Sequence, residues 1–297
     1  MLSNRTHLAT AAMALILSML TACTHQPQTA DAAAAPPTTA ASAHAHDGLD
    51  ATLWLQTSAE FQATTWQTFQ IASLRLEQAL SDPQWTAALE QDTAKMVGLP
   101  PAIIVDVDET ILDNSPFQAR LVSENLTYGP ETWDSWVRQS NAAALKGAKE
   151  FLNHADSLGV TIFYVTNRDA PHEPATRRNL EQEEMPIDSS RDVVLMKGEN
   201  GWSSDKTTRR QLIAESHRIL LLLGDDLNDF VSGAKTRAPE PRHELVEQHR
   251  LMWGTKWFLF ANPTYGSWRD SLHGRNFGKP EAEKRHLKHT HLRPAKP

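Results

Sequence analysis

A chain of 297 residues with 36 acidic against 29 basic side chains carries a formal net charge of −7, which lacks the basic surplus of a dedicated nucleic-acid binder. Its single cysteine excludes an internal disulfide, so stability must come from an apolar core, and 40% hydrophobic residues with nine tryptophans suffice to build one. The length fits one large domain, or one domain with an insert.

In chain order, residues 1–22 read as a targeting segment. Arg5 precedes LATAAMALILSMLTAC, an apolar run of signal-peptide length with small residues at its end. The run is short of the about 20 apolar residues that a membrane span needs. Its end, Leu20-Thr21-Ala22-Cys23, resembles a bacterial lipobox, where cleavage precedes a cysteine that is then lipidated; the alternative is an ordinary secretory signal that contains a cysteine. Lipidation gives the lone Cys23 thiol a use in an oxidising compartment. By resemblance to lipoprotein sorting rules, Thr24 in place of Asp implies the outer membrane, so the expected location is the cell envelope, lipid-anchored. Residues 23–47, rich in Ala, Thr, Pro, Ser and Gln, have too little apolar material to bury and read as a flexible tether.

The body spans residues 48–276. Leu53, Trp54, Thr57, Phe61, Thr64, Thr65, Phe69, Ala72, Leu76 and Leu80 recur near helical spacing, and Asp82-Pro83 ends one helix and starts a second over about Pro83 to Met96. From Pro100 the pattern changes to short apolar runs: Ala102 to Val107, Val160 to Thr166, Asp192 to Met196, Ile219 to Leu223, and Trp257 to Phe260. Amphipathic stretches separate them: Ala143 to Leu158, Glu173 to Glu184, and Lys206 to Glu215. This alternation predicts an α/β fold, a parallel sheet with helices on both faces. Residues 114–142 are long for a strand-to-helix connection and hold Phe117, Tyr128, Trp133 and Trp136, so they predict a small, mainly helical cap beside the N-terminal helices.

Polar groups collect after each strand. Asp106, Asp108, Glu109 and Asp113 crowd the end of the first, Thr166, Asn167 and Arg168 follow the second, Asp205-Lys206 the third, and Gly224-Asp225-Asp226-Leu227-Asn228-Asp229 the fourth. In open α/β sheets ligands bind beyond these carboxyl ends. Carboxylates brought that close repel one another unless protons or a hard cation hold them, so convergence on a metal accounts for the crowding. Each piece alone has a plainer reading, as a solvated turn, a strand end or a surface lysine; together and in order they point to phosphoryl chemistry.

The DxDx[TV] stretch, the hydroxyl after the second strand, the downstream lysine and GDxxxD resemble the haloacid dehalogenase (HAD) superfamily phosphatases. Within it, IVDVDETILDNSPF and ILLLLGDDLNDF are similar to the paired signatures of the bacterial class C acid phosphatases, outer-membrane lipoproteins among them. The resemblance covers residues 100–270 and implies a HAD-like Rossmannoid fold and a phosphomonoesterase, in some members a 5'-nucleotidase, working through an aspartyl phosphate. It implies Asp106 as nucleophile, Asp108 as proton shuttle, Thr166 and Asn167 as phosphate donors, and Lys206 as the charge that lets phosphate approach. It implies Mg²⁺ on Asp106, the Asp108 carbonyl and Asp225, with Asp229 orienting a bound water or Lys206. Glu109 and Asp113 are assigned to the turn. Two positions depart from the pattern: Phe117 stands where Tyr is usual, and Asp226 where Asn or Thr is usual, which adds a charge beside the metal.

TWDSWV and NPTYGSW resemble family stretches that wall a nucleoside base, which makes Phe117, Trp133 and Tyr265 the substrate candidates; Trp136 and Trp268 read better as core anchors. The expected partners are a small phosphate ester and, through the lipid, a membrane, with no nucleic-acid polymer. No signal decides between a monomer and a homodimer. Two other classes compete: a binding lipoprotein or surface antigen that keeps the fold without turnover, and a phosphotransferase. Residues 277–297 form a basic, His-rich tail that reads as a solvated end or as a metal- or membrane-surface element.

Overall fold

A computed structural model describes residues 46–295, within a unit that runs His44–Pro297. The signal segment 1–22, Cys23 and all but the last two tether residues lie outside the described residues. Among the described residues no helix is long and apolar enough to cross a membrane.

Helices α1 (Leu49–Thr57) and α2 (Ala59–Ser81) come first. The Ser58 hydroxyl caps α2 by accepting the Phe61 N–H at 3.0 Å. Phe61, Thr65, Phe69, Ala72 and Leu76 form its buried face. Phe69 packs on Phe151 at 5.6 Å and on Phe260 at 4.6 Å, which seats α2 against the sheet side of the core.

The five strands of the main sheet are β1 (Pro101–Val105), β4 (Thr161–Asp169), β5 (Val194–Lys197), β6 (Arg218–Gly224) and β7 (Trp257–Leu259), with a separate antiparallel pair, β2 (Leu112–Asp113) and β3 (Ala143–Ala144). The main sheet runs β5-β4-β1-β6-β7, with every pairing parallel. Every residue of β6 is buried, as a strand covered on both faces requires. Cutting Leu221 back to Ala there would cost about 2–5 kcal/mol. From β1 the chain moves outward to β4 and β5, then returns to the other side for β6 and β7. The β1/β6 boundary is therefore the switch point, where connections diverge and leave a crevice at the carboxyl ends.

Helices α3 (Ser115–Ser123) and α4 (Pro130–Gln139) form the cap segment; α5 (Ala148–Ser157), α6 (Glu173–Gln182) and α7 (Thr207–Ser216) follow β3, β4 and β5. The expected helix from Ala143 begins five residues late. Ala143–Ala144 pair with Leu112–Asp113, and Gly147, at φ +91°, turns the chain into α5.

The helix expected over Pro83–Met96 is not present. Residues 82–99 run as an irregular strap across the start of β6, where β7, paired only from Leu222 on, does not reach. Ala87 N–H donates to Ile219 O at 2.8 Å, Gln91 Oε1 accepts from Ile219 N at 2.9 Å, and the Trp85 indole donates to Leu220 O at 2.8 Å. The need to satisfy buried β6 backbone outweighs the strap's own helical leaning. The basic tail holds a helix, Glu281–Thr290, and Lys288 reaches Asp47 at 3.0 Å.

Candidate active site

The first group comes from the end of β1. Asp106 N–H continues the ladder to Leu223 O at 2.9 Å, which fixes the Asp106 carboxylate over the β1/β6 crevice. Thr110 Oγ1 donates to Asp106 Oδ2 at 3.2 Å. The second group follows β6, where Asp225 and Asp226 lead into a short 3-10 turn, Leu227–Asp229, that Asp226 caps and Asp229 ends. The Asp226 and Asp229 side chains cap this turn reciprocally, and Asp229 Oδ2 accepts the Asp226 N–H at 2.9 Å. Gly224 permits it, because a Cβ there would overlap the Asp229 carboxylate.

Asp106, Asp225 and Asp229 each offer a carboxylate oxygen within 4.8 Å of the others. Lys206, buried just before α7, reaches Asp106 and, at 2.6 Å, Asp229 Oδ1. Burial pushes Asp106 up to about 7, against the pull of Lys206 and with Asp229 and Asp108 adding to the rise. Burial, then the Asp106 and Asp229 charges, raise Asp225 well above the usual carboxylate range. Burial opposes the Lys206 ammonium, yet the Asp106 and Asp229 charges outweigh it and hold its pKa above the ordinary value. Three carboxylates against one ammonium leave negative charge to neutralise, and an all-oxygen donor set suits a hard divalent cation.

Asp108 turns the other way. Its Oδ1 accepts from Arg168 Nη2 at 2.7 Å, Arg168 Nε at 3.0 Å and Asn114 Nδ2 at 2.9 Å, whereas Oδ2 has one contact, to Arg168 Nε at 3.2 Å. Asn114 is held in turn by Glu109, a residue at φ +59°, and its Oδ1 accepts the Trp136 indole N–H at 2.8 Å.

Residues 10–268 match the family described as HAD superfamily, subfamily IIIB (acid phosphatase). The chain belongs to that family. A class C acid phosphatase from Bacillus anthracis has 34% identity and a TM-score of 0.74, with 84% of this chain and 97% of that one covered; its tungstate-bound form gives the same figures. "Acid phosphatase 1" of Solanum lycopersicum is 25% identical over 157 residues, 48% of this chain and 58% of that protein. "Stem 28 kDa glycoprotein" of Glycine max is 24% identical over 136 residues, 44% of this chain and 52% of that protein. The chain spans about half the length of the curated relatives it matches.

The structure brings some of the expected residues together and sets others apart. Asp106, Asp225, Asp229 and Lys206 converge as one cluster, and Asp108 borders it. Thr166 is fully buried; its Oγ1 accepts the Arg168 N–H at 3.1 Å, and its own proton remains to donate. Asn167 Nδ2 donates to Ser204 O at 3.1 Å and its Oδ1 accepts from Arg209 at 2.8 Å, so the side chain also ties loops together. The Asp226 carboxylate accepts from Asn228 N at 3.0 Å and from Ser267 N and Oγ at 2.6 Å, so it stays outside the converging oxygens while its charge still helps to raise Asp225. Phe117 is 1% exposed and so is no substrate wall; it lies beneath Trp133, ring centroids 5.2 Å apart. Trp133 is half-buried, 5.8 Å from the Arg168 guanidinium. Tyr265 is half-buried on the turn after β7, and among the described residues no ring contact joins it to Trp133.

Two residues with direct site contacts escaped the sequence reading. Arg168 counts in the sequence only as one of the polar residues after the second strand, with no role of its own. Asn262, in the NPTYGSW stretch, donates to Asp225 Oδ2 at 2.8 Å while its Oδ1 organises the turn by accepting from Thr264 and Tyr265 N–H. Its signal was the same as the others', a polar residue just past a strand.

Proposed function

We propose that the protein is a divalent-metal-dependent phosphomonoesterase acting through an aspartyl phosphate. The observation that carries the reading is the convergence of Asp106, Asp225 and Asp229 on one point, with Lys206 between them and Asp108 alongside. Mg²⁺ suits this oxygen set, on Asp106, the Asp108 carbonyl and Asp225; when bound it neutralises phosphate oxygens. Asp229 orients Lys206, and Asn262 holds Asp225 for its role.

Asp106 attacks phosphorus, and the ester oxygen leaves with a proton from Asp108. Water then attacks the phosphorus of the aspartyl phosphate and gives its proton back to Asp108, which frees phosphate and Asp106. Arg168 and Asn114 occupy Asp108 Oδ1, so Oδ2 is the oxygen that moves the proton. The Thr166 hydroxyl donates to a phosphate oxygen, and the Lys206 charge offsets repulsion between phosphate and Asp106. The tungstate bound by the Bacillus relative, a tetrahedral oxyanion like phosphate, supports a phosphate-sized site.

The substrates are small esters, nucleoside monophosphates among them, with Trp133 as the face on which a base stacks. The lipobox-like Leu20-Thr21-Ala22-Cys23 supports a lipid on Cys23 and an outer-membrane location, where the protein releases phosphate and nucleoside for uptake. Hydrolysis of a chromogenic phosphate ester, with and without chelator, in wild type and Asp106→Asn tests the reading. Turnover is lost in both the chelated and the substituted protein; robust turnover by Asp106→Asn removes the nucleophile assignment.

A further inference from the structure

We infer that Arg210 and Glu90 form a positioning brace that sets the separation of Lys206 from Asp229, and with it the site's affinity for its cation. Arg210 is fully buried one helical turn after Lys206, and its backbone N–H donates to Lys206 O at 3.0 Å. Its side chain crosses to the other half of the site. Nη1 donates to Asn228 O at 3.1 Å and Asp229 O at 3.0 Å, Nε and Nη2 donate to Glu90 Oε1 at 3.0 and 2.7 Å, and Nη2 also donates to Thr207 Oγ1 at 3.2 Å. All five guanidinium N–H groups are thus engaged, which leaves the side chain no second rotamer that keeps its bonds. One residue therefore holds, by backbone and by side chain, the two groups whose ammonium and carboxylate meet at 2.6 Å.

Glu90 belongs to the strap, and its side chain is 8% exposed. The strap is itself tied to β6, through Ala87 and Gln91 on Ile219, so a closed path runs from β6 through the strap, Glu90 and Arg210 to Asp229, and back to the end of β6. A planar fork is needed, because two consecutive carbonyls and a carboxylate must be reached at once; lysine cannot do this. Neither residue touches substrate. Loosening either lets Asp229 and Lys206 drift apart, so that Lys206 no longer shares its charge between Asp229 and Asp106.

The inference rests on the phosphatase reading only for its kinetic readout. In the full chain, Glu90→Gln keeps shape and an acceptor, and Arg210→Lys keeps charge but loses the fork. Mn²⁺, an oxygen-liganded mimic of Mg²⁺, is titrated calorimetrically, and kcat and KM for a chromogenic ester are measured beside thermal unfolding. The expected result is a Mn²⁺ Kd raised about tenfold in Arg210→Lys, and less in Glu90→Gln, with kcat lowered and KM little changed. If Arg210→Lys does not fold, Glu90→Gln decides. A folded Glu90→Gln with wild-type Mn²⁺ affinity and kcat overturns the brace, whatever its melting temperature. A wild type that binds Mn²⁺ but hydrolyses no ester overturns the phosphatase reading and leaves the brace to be judged on Kd.

Discussion

Arg168 closes on Asp108 through two nitrogens that share one carboxylate oxygen, Nη2 at 2.7 Å and Nε at 3.0 Å. Its own Nη1 is braced by Thr176 Oγ1 at 3.2 Å, and its guanidinium lies 5.8 Å from the Trp133 ring centroid. Asp108 is thereby linked to α6 and to the cap.

Arg168→Lys should therefore not be conservative, since a single ammonium cannot reproduce the two-nitrogen grip. With Asp108 as the proposed proton donor, its misplacement should lower kcat by about 10²-fold. Cation affinity should hold, because the Asp108 carboxylate lies outside the Asp106, Asp225 and Asp229 cluster. Steady-state kinetics beside a Mg²⁺ titration checks both; an unchanged kcat shows that Asp108 does not need Arg168.

Gly224→Ala should damage the site from beneath, because the added methyl overlaps the Asp229 side chain. The turn must shift, at a cost of about 1–3 kcal/mol in stability, and Asp229 leaves Lys206. Thermal unfolding should show the loss, and a cation titration should show weakened binding. A variant with wild-type cation affinity would falsify the packing argument.

Acidity and cation should act on stability in opposite senses. Asp106 is raised to about 7 in the folded protein by burial, from an ordinary 3.8. Between those values the folded state holds the extra proton, so stability from this group is fully present below about pH 4 and is lost as pH rises through 7. A bound cation selects the ionised carboxylates and should turn that slope around. Melting temperatures across this range, in chelator and in excess Mg²⁺, should diverge in wild type and move together in Asp106→Asn.

Trp133→Ala should separate substrates. Stacking contributes about 1–3 kcal/mol per base, so KM for a nucleoside monophosphate should rise about tenfold while KM for glycerol phosphate stays put. Equal changes in both would make Trp133 a structural part of the cap, like Phe117 below it.

The chain's local patterns carried the sheet and half of the site. The run Ile219 to Leu223 is legible as β6 because a parallel strand buried on both faces must be apolar throughout. The acidic pairs are legible because each follows such a run, and parallel strands deliver their carboxyl ends to one rim. The strap shows where this reasoning stops. Residues 83–96 read as a helix locally, but the start of β6 offers backbone groups that local pattern cannot see, and the strap satisfies them.

Side-chain direction was likewise beyond the sequence. Asp226 stands between residues of one motif, yet its carboxylate answers to Ser267, forty-one positions on. Phe117 is aromatic like Trp133, but burial beneath it decides that only one can meet a substrate. Arg168 meets Asp108 across 60 positions, and Arg210 meets Glu90 across 120. By itself the sequence determined which chemistry is present and which strand end carries each part, since residue type and apolar period are local properties. Only the tertiary structure decided which carboxylates face one another and what holds them there, because those contacts form between segments that meet only when the sheet closes.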